Sequence, residues 1–139
     1  MNISKNYKDI IVNEINFVIN RMNESKTAED KIFYFSAIYG MLQRIFNIEY
    51  DQDLLFAFFI LRDTHNNFLQ RLQGIKKQGE MTIPLIEEQF TRLLDITREL
   101  SSKIEGNENI DDTLKKYVIL SYTTTGNGYY LFQKGLLKI

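Results

Sequence analysis

The sequence predicts an all-α protein, an up-and-down bundle of four to five helices. Two observations carry this: apolar residues recur three and four positions apart instead of alternating, and proline occurs once, at Pro84. A first helix is expected over about residues 5–23, where Tyr7, Ile11, Ile15, Val18 and Met22 form one stripe and Asn13, Glu14, Asn16 and Asn20 lie on other faces. Ser4 can cap it. Thr27, three positions before Asp30, is a shortened capping box in which side chains satisfy the unpaired amides of a second helix, from Ala28 to about Asn47.

Helix 2 carries more apolar surface than one stripe. Ile32, Phe35, Tyr39, Leu42 and Phe46 make one seam, and Phe33, Tyr34, Ile38, Met41 and Ile45 add a second face. Helix 3, capped by Asp51 or Asp53, repeats the excess in the run Leu54 to Leu61, then continues as a seam through Phe58, Leu61, His65, Phe68, Leu72 and Ile75. Fully burying each large apolar side chain is worth ~1.5–3 kcal/mol, so a wet second face would forgo several such contributions and invite association. Helices 2 and 3 are therefore either central in the bundle or packed against another subunit.

The segment Gly74–Gly79, with Lys76 and Lys77 near the negative end of the helix dipole, is expected to end helix 3. Helix 4 opens with Thr82 and Pro84, a proline tolerated in a first turn, buries Ile86, Phe90, Leu93, Thr97, Leu100 and Ile104, and stops at Gly106. After the loop Gly106–Asn109, a fifth segment capped by Asp111 or Asp112 places Leu114, Val118, Ser121, Thr125, Gly128 and Phe132 on one seam. Local rules also accept a β-hairpin there, with residues 117–124 and 129–133 flanking the Gly126-Asn127-Gly128 turn. Helix is favoured, because a lone hairpin would have to find its own apolar partner in a helical bundle.

Composition narrows function by exclusion. One domain spanning residues 1–139 is expected, with 44% hydrophobic and 25% charged residues. The absence of cysteine removes disulfides, thiolate metal sites and cysteine nucleophiles, and fits the cytoplasm. Seventeen basic against 18 acidic residues leave a net charge of -1, which gives no field to draw nucleic acid or anionic lipid. No apolar run reaches the ~18–20 residues of a membrane span. The 8 tyrosines and 10 phenylalanines lack the basic track of a base-stacking groove, so packing is their expected use.

Few residues carry candidate chemistry. His65, the one histidine, falls on an apolar seam beside Arg62; it reads either as a general base or metal ligand, or as a core or interface residue with satisfied ring nitrogens. A ferritin-like layout is compatible with the helices but without a di-iron site, since that centre needs paired Glu-x-x-His elements and Arg62 stands three before His65. Gly126-Asn127-Gly128 lacks the lysine and hydroxyl of a phosphate loop. The pairs Glu29-Asp30, Glu87-Glu88 and Asp111-Asp112 lie at helix starts, where the dipole already accounts for them.

From helix 4 onward the layout resembles the ATP:cobalamin adenosyltransferases, trimeric helical bundles that join an adenosyl group to a corrinoid cobalt. The resemblance rests on Arg98-Glu99-Leu100-Ser101-Ser102-Lys103-Ile104, a loop, Ile110-Asp111-Asp112-Thr113-Leu114-Lys115-Lys116-Tyr117, and Tyr130-Leu131-Phe132, about the last third of the chain. It implies a bundle of that kind in a cyclic assembly, with Arg98 standing for an arginine cluster that is otherwise missing. The family's Thr-Gly-Asp-Gly nucleotide loop has no counterpart.

These readings converge on a non-catalytic assembly or interaction module, a homo-oligomer through helices 2 and 3, with no nucleic-acid or membrane partner and no identified cofactor. The alternative is a degenerate adenosyltransferase-like protein binding a nucleotide, corrinoid or other anionic small molecule, with Arg62, His65 and Arg98 as its ligand-binding candidates.

Overall fold

Among the described residues the stripes become five helices, α1 (Lys5–Glu24), α2 (Ala28–Phe46), α3 (Gln52–Gln78), α4 (Ile83–Glu105) and α5 (Asp111–Thr125). The structure is a computed structural model that describes the backbone of residues 3–78 and 83–125 and the side chains of 3–73 and 87–121. Thr82, the Gly126–Gly128 segment and Tyr130-Leu131-Phe132 lie outside the described residues. Residues 117–125 are helical, not the first strand of a hairpin.

Short polar contacts fix the ends of the helices. The Thr27 hydroxyl accepts from the Asp30 amide at 3.2 Å, as the shortened capping box requires. Asp51, not Asp53, caps α3 by accepting from the Leu54 amide at 3.0 Å. At α5 the capping side chain is Asn109, whose Oδ1 accepts from the Asp111 amide at 2.8 Å; the two aspartates occupy the first turn instead. Ser4 holds the N-cap position of α1 without a capping bond: its amide and hydroxyl both donate to the Glu49 carboxylate, tying the α1 start to the α2–α3 connection.

The end of α4 is a Schellman arrangement. The Glu108 amide donates to the Lys103 carbonyl at 2.8 Å and the Asn107 amide to the Ile104 carbonyl at 3.1 Å, with Asn107 left-handed at φ 57°. Gly106 thus precedes the residue that turns the chain. Left-handed backbone costs an ordinary side chain roughly 1–2 kcal/mol, and asparagine tolerates it better. Asn107→Ala is expected to lower stability by about 1 kcal/mol, and Asn107→Gly to preserve or raise it, read from urea midpoints.

The helices close into a ring. α1 packs on α2 and α4, α3 on α2 and α5, and α5 on α3 and α4. The polar bridges give the directions: Asn16 meets Ser101 and Lys8 meets the Glu105 carbonyl, so α1 and α4 are antiparallel. Glu99 meets Lys116 and Thr97 meets Tyr117, so α4 and α5 form an antiparallel hairpin. With α2 antiparallel to both α1 and α3, α3 and α5 run parallel. Spatial order therefore departs from chain order once, where α5 stands between α3 and α4.

One core fills the ring. Ile11, Ile15, Met22, Phe35, Ile38, Leu42, Leu54, Leu61, Phe68, Leu93, Leu100 and Tyr117 are its largest fully buried side chains. Phe68 of α3 reaches Phe90 of α4, with ring centroids 4.9 Å apart. No strand occurs among the described residues, and no helix among them is long and apolar enough to cross a membrane.

Candidate functional site

Two features stand out from this frame: a polar seam along α5 and an uncovered aromatic surface on α2 and α3. The seam begins at Tyr117, which is fully buried and tilts against Phe35 with centroids 6.3 Å apart. Its hydroxyl donates to Thr97 Oγ1 at 2.8 Å, and Thr97 donates on to the Leu93 carbonyl at 2.7 Å. One helical turn along α5, Ser121 donates to Thr64 of α3 at 2.9 Å. Ser101 of α4 donates to Asn16 of α1 at 2.6 Å. These hydroxyls satisfy one another where helices meet, which pins the helices in register.

The seam offers no proton near neutrality. Burial holds the Tyr117 phenol well above its usual range; the Thr97 hydrogen bond lowers it in part, and the Glu99 carboxylate adds to the rise. Glu99 itself takes Lys116 on both carboxylate oxygens at 3.0 Å, a partly exposed clip between α4 and α5. Two buried atoms, Gln89 Oε1 and Thr113 Oγ1, have no hydrogen-bond partner. They sit toward opposite ends of the α4–α5 hairpin and do not converge. Among the described residues no three His, Asp or Glu side chains converge as metal ligands.

The three sequence candidates occupy two settings: Arg62 and His65 stand one turn apart on α3 and border the same Phe58–Tyr39 ring pair, with centroids 6.2 Å apart, while Arg98 lies on α4. His65 is half-buried between α3 and α2, edge-on to Tyr39 with centroids 5.4 Å apart. Its Nδ1 lies 3.4 Å from Tyr39 Oη and 3.3 Å from Asn66 Oδ1. Arg62 is exposed, with its guanidinium carbon 5.3 Å and 5.4 Å from the ring centroids of Phe58 and Phe59. Arg98 pairs with Asp95 on the same exposed face of α4 at 3.2 Å. Arg62 is thus engaged by aromatic surface, His65 by an interhelical stack, and Arg98 by a local ion pair.

Burial lowers the His65 pKa below the ordinary histidine value, offset in part by the Asn66 hydrogen bond. The folded chain consequently binds this proton less readily than the unfolded chain. The stabilising contribution of the neutral ring is present above pH ~6.5 and is lost as pH falls through the lower folded value. Because His65 is the one histidine in the chain, a wild-type thermal midpoint measured from pH 7 down to 5 should fall more steeply than that of His65→Gln. Parallel curves would contradict this placement.

The aromatic surface follows from the excess apolar residues of helices 2 and 3. Each helix buries one side: Ile32, Phe35, Ile38, Met41, Leu42 and Ile45 on α2, and Leu54, Ala57, Phe58, Leu61, Phe68 and Leu72 on α3. What remains is outside. Phe33 is 68% exposed, Ile48 66% and Tyr50 65%, while Phe56 and Phe59 keep nearly half their surface in water. Gly40 lies on the outer side of α2, where an added Cβ would meet nothing within 4 Å.

In class, then, this is an all-α bundle, with five helices among the described residues, a hydroxyl-bonded core and exposed aromatic side chains on α2 and α3. No family model, curated protein or solved structure matches the chain.

Proposed function

We propose that this protein is a homo-oligomeric assembly module whose contact surface is the outer face of α2 and α3. The observation that carries the reading is the exposure of Phe33, Ile48, Tyr50, Phe56 and Phe59 on two consecutive helices and their connection. Scattered apolar residues are ordinary on a protein surface, and α1 exposes Ile10 and Phe17 as well, but five large ones between α2 and the start of α3 are the densest such stretch among the described residues. Association that buries each ring gains ~1.5–3 kcal/mol per side chain before the cost of immobilising the subunits.

The polar residues support a structural role for the interior. The core hydroxyls of Tyr117, Thr97, Ser121 and Thr64 bond to one another, Arg62 and His65 contact the linked rings of Phe58 and Tyr39, and Arg98 pairs with Asp95. Among the described residues no observation favours the nucleotide- or corrinoid-binding alternative. Light scattering across a micromolar concentration series tests the proposal: a mass above the 16.5 kDa of one chain is expected, and a single-chain mass at every concentration would refute it.

A further inference from the structure

We infer that His65 is a proton-operated latch between α2 and α3: the neutral ring accepts a hydrogen bond from Tyr39 of α2, and the protonated ring exchanges it for a bond to Asn66 on its own helix. The latch lies within one chain and stands independently of the assembly reading above.

The argument starts from one nitrogen with two partners. His65 Nδ1 lies 3.4 Å from Tyr39 Oη and 3.3 Å from Asn66 Oδ1. An amide oxygen only accepts, so Nδ1 reaches Asn66 when it carries a proton; a bare Nδ1 offers a lone pair, which takes the Tyr39 hydroxyl. That hydroxyl has no other partner among the described residues. Satisfying it selects the neutral tautomer with the proton on Nε2. The Tyr39 bond joins two helices, whereas the Asn66 bond stays within α3.

Nothing around the ring compensates a positive charge. On α2, no charged side chain occurs between Lys31 and Arg44, and Tyr39 is the titratable group against His65. On α5, the other helix packed on α3, residues 117–125 are also uncharged, with Tyr117 and Tyr122 as the titratable ones. Tyr117 is already bonded to Thr97, and Ser121 to Thr64. On α3 itself Arg62 stands three positions before His65 and Asp63 two, so the neighbour on the same face is the cation. Asp63 is exposed and accepts from the Asn67 amide at 3.4 Å. Burial already resists the charge, and the Asn66 bond favours it.

The rings beside His65 show what the latch holds. Tyr39 packs edge-on to His65 and to Phe58, and Phe46 packs on Phe58 from further along α2. With His65 neutral, the hydroxyl bond closes the Tyr39 end of this ladder. With His65 protonated, that end holds an unpaired cation near Arg62 and loosens, while Phe46 keeps the other end in place.

Because His65 is the one histidine in the chain, NMR of the intact protein follows its ring without ambiguity. The neutral ring should carry its proton on Nε2. Tyr39→Phe keeps the aromatic contact and deletes only the donor that favours the neutral form, so proton affinity should rise roughly threefold. Asn66→Ala deletes the acceptor that favours the charged form and should lower it by about the same factor. A neutral ring protonated on Nδ1, or two variants that move the titration in the same direction, overturns the exchange of partners.

Amide hydrogen exchange, corrected for intrinsic rates, reads the release itself. Between pH 7 and pH 5 the amides around Tyr39 should lose protection relative to those of α4 in wild type but not in His65→Gln. Equal loss in both proteins, or none in either, refutes the latch. A wild type that is monomeric and shows the opposed shifts and the loss refutes the assembly reading and leaves the latch standing.

Discussion

Tyr117→Ala should lower the unfolding free energy by about 3–5 kcal/mol, the range for removing a buried aromatic side chain. Tyr117 is fully buried, touches Phe35 across the ring of helices, and donates to Thr97, so the truncation leaves a void and strips the seam of a donor. Set against the ~5–15 kcal/mol stability of a typical domain, this loss brings the chain near unfolding. Tyr117→Phe keeps the ring and deletes only the hydroxyl, and should cost about 0.5–1.5 kcal/mol. Urea titrations of both variants separate the contributions; a cost under 1 kcal/mol for the alanine variant would mean that α5 does not fill the centre of the bundle.

The second large effect concerns association. Phe33→Glu replaces the most exposed of the large apolar side chains with a charge that would be buried in the proposed contact. Within one subunit the change removes little, because the ring is exposed and makes an edge contact with the neighbouring Tyr34, centroids 5.4 Å apart. In the proposed contact between subunits it would delete an apolar anchor and bury a carboxylate. The expected result is a variant whose thermal stability at low concentration equals wild type and whose association is weakened at least a hundredfold, corresponding to about 2.7 kcal/mol. Equal loss of stability and association would place Phe33 in the subunit core instead.

Much of the fold was legible because helices announce themselves through which face is apolar. The stripe Ile11, Ile15, Val18 and Met22 is buried on α1, and Phe90, Leu93, Thr97, Leu100 and Ile104 on α4. Periodicity does not say which neighbour a face meets, so the insertion of α5 between α3 and α4 was invisible. The seam chosen for α5 ran through Leu114, Val118 and Ser121, yet Val118 is only half-buried while Tyr117 is fully so. Leu114, Tyr117 and Ser121 share the same three- and four-residue spacing, and the ambiguity of the glycine-bearing segment hid it. Ser4 was legible as a cap position, but its partner Glu49 lies 45 positions away, a distance no local rule spans.

The candidate surface was more legible than its polar residues. Of the second apolar face read for helix 2, the core takes Ile38, Met41 and Ile45 and leaves Phe33 exposed, so the surplus is smaller than the two-faced pattern implied. Phe33, Phe56 and Phe59 are the remainder. Arg62, His65 and Arg98 stood out only as charged or titratable residues near apolar ones. Their partners, the rings of Phe58 and Phe59, Tyr39, and Asp95, account for each in place.

Sedimentation equilibrium on wild type and Phe33→Glu side by side tests the central claim most directly. The account predicts a wild-type mass above 16.5 kDa that rises with concentration and a variant at the single-chain mass over the same range. Identical masses for the two proteins, whether single-chain or associated, would contradict it.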